Sequence, residues 1–279
     1  MKIARVIDVE GRMLTVGLAE NSTWVLLTGD LRADGYRLTD EVVVPSRWLP
    51  PMNPPAIFCI GLNYAKHILE SKMPRPKEPV VFMKNPAAVI GHDGVIRIPR
   101  VCDDEIDFEG ELVIVIGKSC RDVKRDEAYS VILGYTIGND ISARNWQLHR
   151  GGSQWTRGKS FDTFSPLGPC IVTLDELEDP NRLAIRTTLN GERVQDSNTE
   201  DMIFDVPSLI SFCSQDTTLL AGSVIMTGTP EGIGWTRSPR RTLKHGDDIS
   251  VEIEGIGSLK NHVCSNQMSR ASDLEDGAV

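Results

Sequence analysis

Apolar residues come in short runs broken by Gly, Pro and Asp/Glu-Gly signals, a spacing that predicts strands over most of the chain. In the first fifty residues the runs ARVID, MLTVGLA and TWVLL are separated by Glu10-Gly11 and Ala33-Asp34-Gly35, which predicts a small β-rich amino-terminal domain, 1–50. PPMNPP, from Pro50 to Pro55, reads as a proline-rich joint over 51–55. From Ala56 onward AIFCIG, PVVFMK, LVIVIG, SVILGYTIG, SPLGPCIVT, LAIRTTLNGERV, SVIMTGTP and DISVEIEGIGSLKN are strand-like. LNGE and IEGIGSL carry hairpin signals. Helical spacing is confined to Tyr64 to about Ser71 and Val206 to about Ser214. The pattern predicts a mainly β (α+β) chain whose second domain, 56–264, is a barrel, roll or sandwich, followed by a polar, frayed tail at 265–279.

Composition changes this picture little. At 279 residues, 40% hydrophobic and 25% charged, the chain has ample core for a globular protein. Its formal net charge of -9 disfavours nucleic acid as a partner. No run approaches the ~20 apolar residues of a membrane helix. Charges interrupt every apolar stretch of MKIARVIDVEGRMLTVG, so no secretory core is expected there. The six cysteines are scattered without C-x-x-C or Cys/His ligand spacing, which points to reduced thiols and a cytoplasmic or similarly reducing compartment.

Chemistry concentrates in a few stretches. DFEGELVIVIG puts Glu109 and Glu111 at the mouth of an apolar strand, where alternation sends both to one face. Two like charges there call for a cation between them, a metal ion or else Arg, Lys or solvent. Asp140, in SVILGYTIGNDISARNWQ, ends another apolar strand, as a third carboxylate or as a turn cap. Three converging carboxylates would select a hard cation such as Mg²⁺, Mn²⁺ or Ca²⁺ over zinc. In GLNYAKHILES, His67 and Glu70 share a helix face three residues apart, an acid–base dyad or an ordinary surface pair. KMPRPKEP beyond it reads as a lid-like loop. QWTRGKSFDTFSPLGP supplies Lys159, with Arg144, Gln147 and Arg157 as further polar reach. MTGTPEGIG sets Thr227 and Thr229 around a glycine, a turn able to cradle an anion though unlike a P-loop. RSPRR reads as a solvated loop. Serine-hydrolase, zincin and dinucleotide signatures are absent.

Taken in order, GLNYAKH, DFEGELVIVIG, GNDISARNWQ, QWTRGKSFDTFSPLGP and MTGTPEGIG resemble the fumarylacetoacetate hydrolase superfamily over about Ala56 to Val263. GKSFDTFSPLGP and NGERVQDSNTEDMIF resemble its branch called fumarylacetoacetate hydrolase domain-containing protein 2. The resemblance implies a mixed β-sandwich roll, a homodimer, and Mg²⁺ or Mn²⁺ on Glu109, Glu111 and Asp140. It also implies His67 and Glu70 as the water-activating dyad, Lys159 as the third catalytic group, and Arg144, Gln147 and Thr229 facing substrate. Some members carry arginine where this chain has Leu62, which removes one anion contact.

The chemistry so implied is chelation of a small 2-oxo acid and stabilisation of its enolate. Hydrolytic C–C cleavage of an acylpyruvate is the leading expectation. Oxaloacetate decarboxylation and keto–enol tautomerisation use the same enolate, and a catalytically silent dicarboxylate-binding protein is the reading from another class.

Overall fold

The structure, a computed structural model, describes residues 1–31, 35–102, 105–177 and 179–265. The Ala33-Asp34 part of one turn signal and the tail beyond 265 lie outside them. A twelve-stranded mixed sheet runs from an edge at Arg37–Val42 through Trp24–Thr28, Met13–Leu18, Lys2–Asp8, Ser165–Thr173, Ile132–Asn139, Gly110–Ile116, Val224–Met226 and Ile57–Gly61 to Val80–Lys84, with two short strands paired off this path. A five-stranded sheet, Glu192–Asn198, Ala184–Leu189, Asp248–Ile253, Gly257–Ser265 and Val95–Ile98, packs against it. The mainly β class expected from the apolar spacing is what forms.

The amino-terminal strands extend the large sheet. Lys2–Asp8 pairs antiparallel with Ser165–Thr173 at Lys2↔Val172 and Ile3↔Ile171. Arg37–Val42 and Pro45–Leu49 are strands that the apolar runs did not reveal; the first is largely exposed and polar along its length. The two helices appear at Ala65–Ser71 and Val206–Cys213. Asp205 caps the latter by accepting from Ser208 N, and Pro207 occupies its first turn, where a missing N–H does no harm. The hairpin at LNGE turns on Asn190 and Gly191, both at positive φ, 51° and 81°, as a tight two-residue loop requires. Among the described residues no helix is long and apolar enough to cross a membrane.

The Gly110–Ile116 strand is buried on both faces. Leu112, Ile114 and Ile116 pack into a core shared with Ile185, Val251 and Ile253 of the second sheet. Val113 and Val115 pack on the other side with Ile57, Cys59, Phe82 and Met226. Glu111 has the parity of the second set, while Gly110 has that of the first and meets the second sheet. A Cβ on Gly110 would lie 2.5 Å from Thr187 Oγ1 and 2.9 Å from Val251 Cγ1, short branched side chains with little room to retreat. Gly110 therefore sits between the glutamates because the sheets approach there too closely for any side chain. Gly110→Ala is expected to cost about 1–3 kcal/mol by overpacking. In a chain of this size that lowers the melting temperature by roughly 2–10 °C; an unchanged melting curve would refute this account of the sheet contact.

Candidate metal and substrate site

Antiparallel pairing brings the acidic residues together. Gly110 lies opposite Asn139, and beyond that pair Asp140 N donates to Glu109 O at 2.8 Å while Glu109 N donates to Asn139 Oδ1 at 3.0 Å. Glu109 thus precedes the strand by one residue, yet its backbone is held in register, and Asp140 follows the neighbouring strand directly. One oxygen from each of Glu109, Glu111 and Asp140 lies within 4.8 Å of the others, and all three residues are buried.

Three cations balance them. Lys159, at the end of the four-residue helix Thr156–Lys159, donates to Glu109 Oε2 (2.9 Å), Asp140 Oδ2 (2.6 Å) and Ser142 Oγ (2.7 Å). Lys84, closing the edge strand Val80–Lys84, donates to Asp140 Oδ1 and to the carbonyls of Ile141 (3.2 Å) and Phe164 (2.7 Å). Arg144 pairs with Glu109 Oε1 at 2.7 Å, with Asp107 Oδ2 through Nε (2.9 Å) and Nη2 (2.7 Å), and with Gln147 Oε1 at 2.8 Å.

The protonation states follow from this pairing. Burial works to raise the Glu109 pKa, but the Lys159 and Arg144 cations outweigh it and bring it to about 2. Burial pushes Glu111 well above the ordinary carboxylate range, and Asp140 and Glu109 push it further, against the opposing pull of the Lys159 ammonium and the Gly228 N–H. Burial would lower Lys159, but Asp140 and Glu109 hold it above the ordinary lysine value. Glu111 is thus the carboxylate in greatest need of a cation. An all-oxygen set of convergent carboxylates suits a hard divalent ion, so these residues fit a metal site.

The MTGTPEGIG turn holds anions, and they are the protein's own. Gly228 N donates to Glu111 Oε2 at 2.7 Å, Gly232 N to both Glu70 oxygens at 3.1 Å, and Gly234 N and Trp235 N to Asp107 at 2.8 and 3.0 Å. Gly228 has φ +98°, and a Cβ there would lie 2.9 Å from Asn63 Cβ, so glycine is needed for that contact. His67 is buried on the Ala65–Ser71 helix, its Nδ1 3.5 Å from Glu70 Oε2 and without a hydrogen bond. Burial tends to raise Glu70, but His67, Thr236 and the Gly232 N–H outweigh it and keep Glu70 below the ordinary glutamate value.

The sequence-identified residues therefore divide in two. Glu109, Asp140, Lys159, Arg144 and Gln147 form one connected ionic and hydrogen-bonded cluster, and Glu111 lies beside it with a carboxylate oxygen within 4.8 Å of those of Glu109 and Asp140. His67 and Glu70 stand on a separate helix, joined to it through the 227–235 turn. Arg144 and Gln147 are buried against each other, and Thr229 bonds to protein groups, its Oγ1 3.0 Å from Gly110 O and 2.9 Å from Gln195 Nε2. Lys84, Asp107, Ser142 and Gln195 escaped the sequence reading. Asp107 and Gln195 lay inside stretches quoted for other residues, and Lys84 ends a strand whose alternation places it with the buried Phe82. Arg237 of RSPRR donates to Gly232 O at 3.2 Å, and Arg240 stacks 3.4 Å over Trp235.

Residues 56–264 match the model of the fumarylacetoacetate (FAA) hydrolase C-terminal domain. A mitochondrial oxaloacetate tautomerase of Xenopus laevis is 46% identical over 214 residues, covering 77% of this chain and 67% of that protein. A fumarylacetoacetate hydrolase domain-containing protein 2 homolog of Dictyostelium discoideum is 48% identical over 223 residues, 76% of this chain and 72% of that one. Among solved structures, a fumarylacetoacetate hydrolase from the psychrophile Exiguobacterium antarcticum superposes with a TM-score of 0.81 at 35% identity, covering 95% of this chain and 99% of its own. The chain belongs to the fumarylacetoacetate hydrolase family, in its domain-containing protein 2 branch.

Proposed function

We propose that this enzyme interconverts the keto and enol forms of oxaloacetate, using Mg²⁺ or Mn²⁺ held by Glu109, Glu111 and Asp140. The observation that carries the reading is the convergence of three buried carboxylates with the Lys159 ammonium already on two of them. The 46% identity to an oxaloacetate tautomerase supports the choice of substrate. A divalent ion there supplies charge neutralisation and polarises the keto oxygen.

The chain's own residues do the rest. Lys159, whose three N–H groups are held by Glu109, Asp140 and Ser142, exchanges its bond to the neutral Ser142 hydroxyl for one to the C2 oxygen as negative charge develops there. The His67 imidazole takes a proton from C3, and Glu70, kept anionic by the Gly232 N–H, stabilises the imidazolium. The His67 imidazolium then releases that proton to the C2 oxygen, so one proton has moved from carbon to oxygen, the imidazole is restored, and the reverse path regenerates the ketone. A second reading, hydrolysis of an acylpyruvate, is supported by the solvent access of Glu70, whose side chain is 24% exposed. There the His67–Glu70 pair takes its proton from water, which attacks the distal carbonyl, and the C–C bond breaks to give a free acid and a pyruvate enolate.

Incubating the metal-loaded protein separately with oxaloacetate and with acylpyruvates, following enol absorbance and product NMR, separates these outcomes. Loss of enol without new carbon products supports the tautomerase. Pyruvate with a free acid from an acylpyruvate replaces it with the hydrolase, and pyruvate accumulating from oxaloacetate replaces it with a decarboxylase. His67→Ala is expected to keep metal and lose turnover by about 10²–10⁴-fold. Asp140→Ala is expected to lose metal binding and activity together, and full metal affinity in that variant would sink the ligand assignment.

The raised pKa of Glu111 gives a further expectation. A metal must displace its proton, so affinity rises with pH, and calorimetry in buffers of different ionisation enthalpy should detect proton release. For the chelated protein, the depressed Glu109 pKa adds stability as pH rises from about 2 to the ordinary carboxylate range. Above that range Glu111 works in the other direction, since the folded state holds a proton that the unfolded chain has released. Glu111→Gln should flatten that decline in melting temperature; an unaltered pH profile would count against the Glu111 assignment.

A further inference from the structure

The peptide of Gly110 lies in a closed ring of hydrogen bonds. Its N–H donates to Gln195 Oε1 at 3.1 Å, Gln195 Nε2 donates to Thr229 Oγ1 at 2.9 Å, and Thr229 Oγ1 donates to Gly110 O at 3.0 Å. Gln195 also accepts from Thr187 Oγ1 at 2.7 Å and donates to Pro230 O at 3.0 Å. The bonds to Gly110 N–H and Pro230 O fix which end of the amide is oxygen, because a backbone N–H only donates and a carbonyl only accepts. With 1% exposure, the side chain has five bonds within the protein, the fifth a long one from Nε2 to Glu231 O at 3.5 Å, and scarcely any solvent.

The place of the ring in the sheet explains its form. The neighbouring strand Val224–Met226 pairs with Gly110–Ile116 only at Val113–Val115. Toward Glu109 the ladder on that side has ended, and Thr227 N still reaches Leu112 O at 3.0 Å. At Gly110 two side chains take over the backbone partners that a strand would have supplied. One comes from the second sheet and the other from the 227–235 turn. On the opposite edge, Asn139 and Asp140 already hold the Glu109 backbone.

We infer that Gln195 and Thr229 are positioning residues that clamp the Gly110 peptide and so set the relative placement of the Glu109 and Glu111 carboxylates for a divalent cation. This rests on the metal-site reading of those carboxylates. Thr229 on this account acts first on the protein: its proton is committed to Gly110 O, so its loss disturbs metal binding even without substrate. The hydroxyl is required and the methyl is not.

The test uses the full-length protein, stripped with chelator and titrated with Mn²⁺ by calorimetry and by the spin-resonance signal of free ion. Gln195→Leu and Thr229→Val are each expected to weaken Mn²⁺ by roughly 10–100-fold, the range for losing a partner that orients metal ligands. Thr229→Ser should bind within about twofold of the parent, and the Gln195→Leu/Thr229→Val pair should be no worse than the weaker single variant, because the ring is broken once. In the metal-free protein, the Gly110 amide should lose hydrogen-exchange protection in Gln195→Leu while amides of the Val113–Val115 segment keep theirs. Unchanged Mn²⁺ affinity in folded Thr229→Val, with only KM raised, would overturn the inference in favour of a substrate contact. Additive losses in the double variant would also overturn it, and Thr229→Ser against Thr229→Val keeps the test decisive should Gln195→Leu fail to fold. A Glu109→Gln control separates the two levels: if it too leaves Mn²⁺ affinity intact, the metal-site reading fails rather than the clamp alone.

Discussion

Much of this structure depends on buried charge being matched at short range. Asp107, Glu109, Glu111 and Asp140 are all nearly inaccessible, as are Lys84, Arg144 and Lys159. A carboxylate removed from water without a partner is costly enough that it takes up a proton or prevents burial. Here each cation comes from a different element: an edge strand, the segment after the Ile132–Asn139 strand, and a four-residue helix. These elements must therefore be in place together, because removing any one cation leaves a buried anion uncompensated. The clustering couples distant parts of the chain, from Lys84 to Lys159, more tightly than apolar packing alone would.

The 227–235 turn provides the second coupling. Its N–H groups hold Glu111 of the acidic triad, Glu70 of the helix carrying His67, and Asp107 behind Arg144. Short backbone segments without side-chain bulk can approach three carboxylates in succession, which accounts for glycine at 228, 232 and 234. A shift of this turn would move His67 and Glu70 relative to the carboxylates, so the relative placement of the two groups depends on one piece of backbone.

Legibility in the sequence followed how local each feature was. Most of the apolar strands and the two longer helices could be read because apolar alternation and turn residues act within a few positions, whereas the polar Arg37–Val42 strand and the four-residue helix Thr156–Lys159 carry no such signal. The E-x-E pair stood out because charge at the mouth of an apolar run is anomalous whatever the partner. Lys84 did not, since a lysine ending a strand is normally solvated; only the edge position of its strand against Phe164 and Asp140 buries it. Gln195 was equally silent, because its partners lie on another sheet and in a turn far along the chain. Arg144 was legible as a polar residue near the site, but its pairing with Asp107 depends on the tertiary path that brings Gly234 and Trp235 to the same carboxylate.

Charge counting also bears on why a dianionic 2-oxo acid suits the proposed site only when it is loaded. Leaving the His67–Glu70 pair aside, four buried carboxylates face three buried cations. With Glu111 protonated, as its surroundings favour, the cluster is neutral and offers an anion no net attraction. A divalent cation held there, as proposed, would require Glu111 to ionise and would leave the same cluster with one positive charge in excess. Two carboxylates of a substrate then meet a site of opposite sign inside a protein whose formal net charge is -9. On the proposed function, binding of metal and of dianion would be thermodynamically linked, each strengthening the other by the same factor. The linkage originates in the charge of the ion, and the raised pKa of Glu111 moderates it, because the proton released on loading offsets one of the two charges the ion brings.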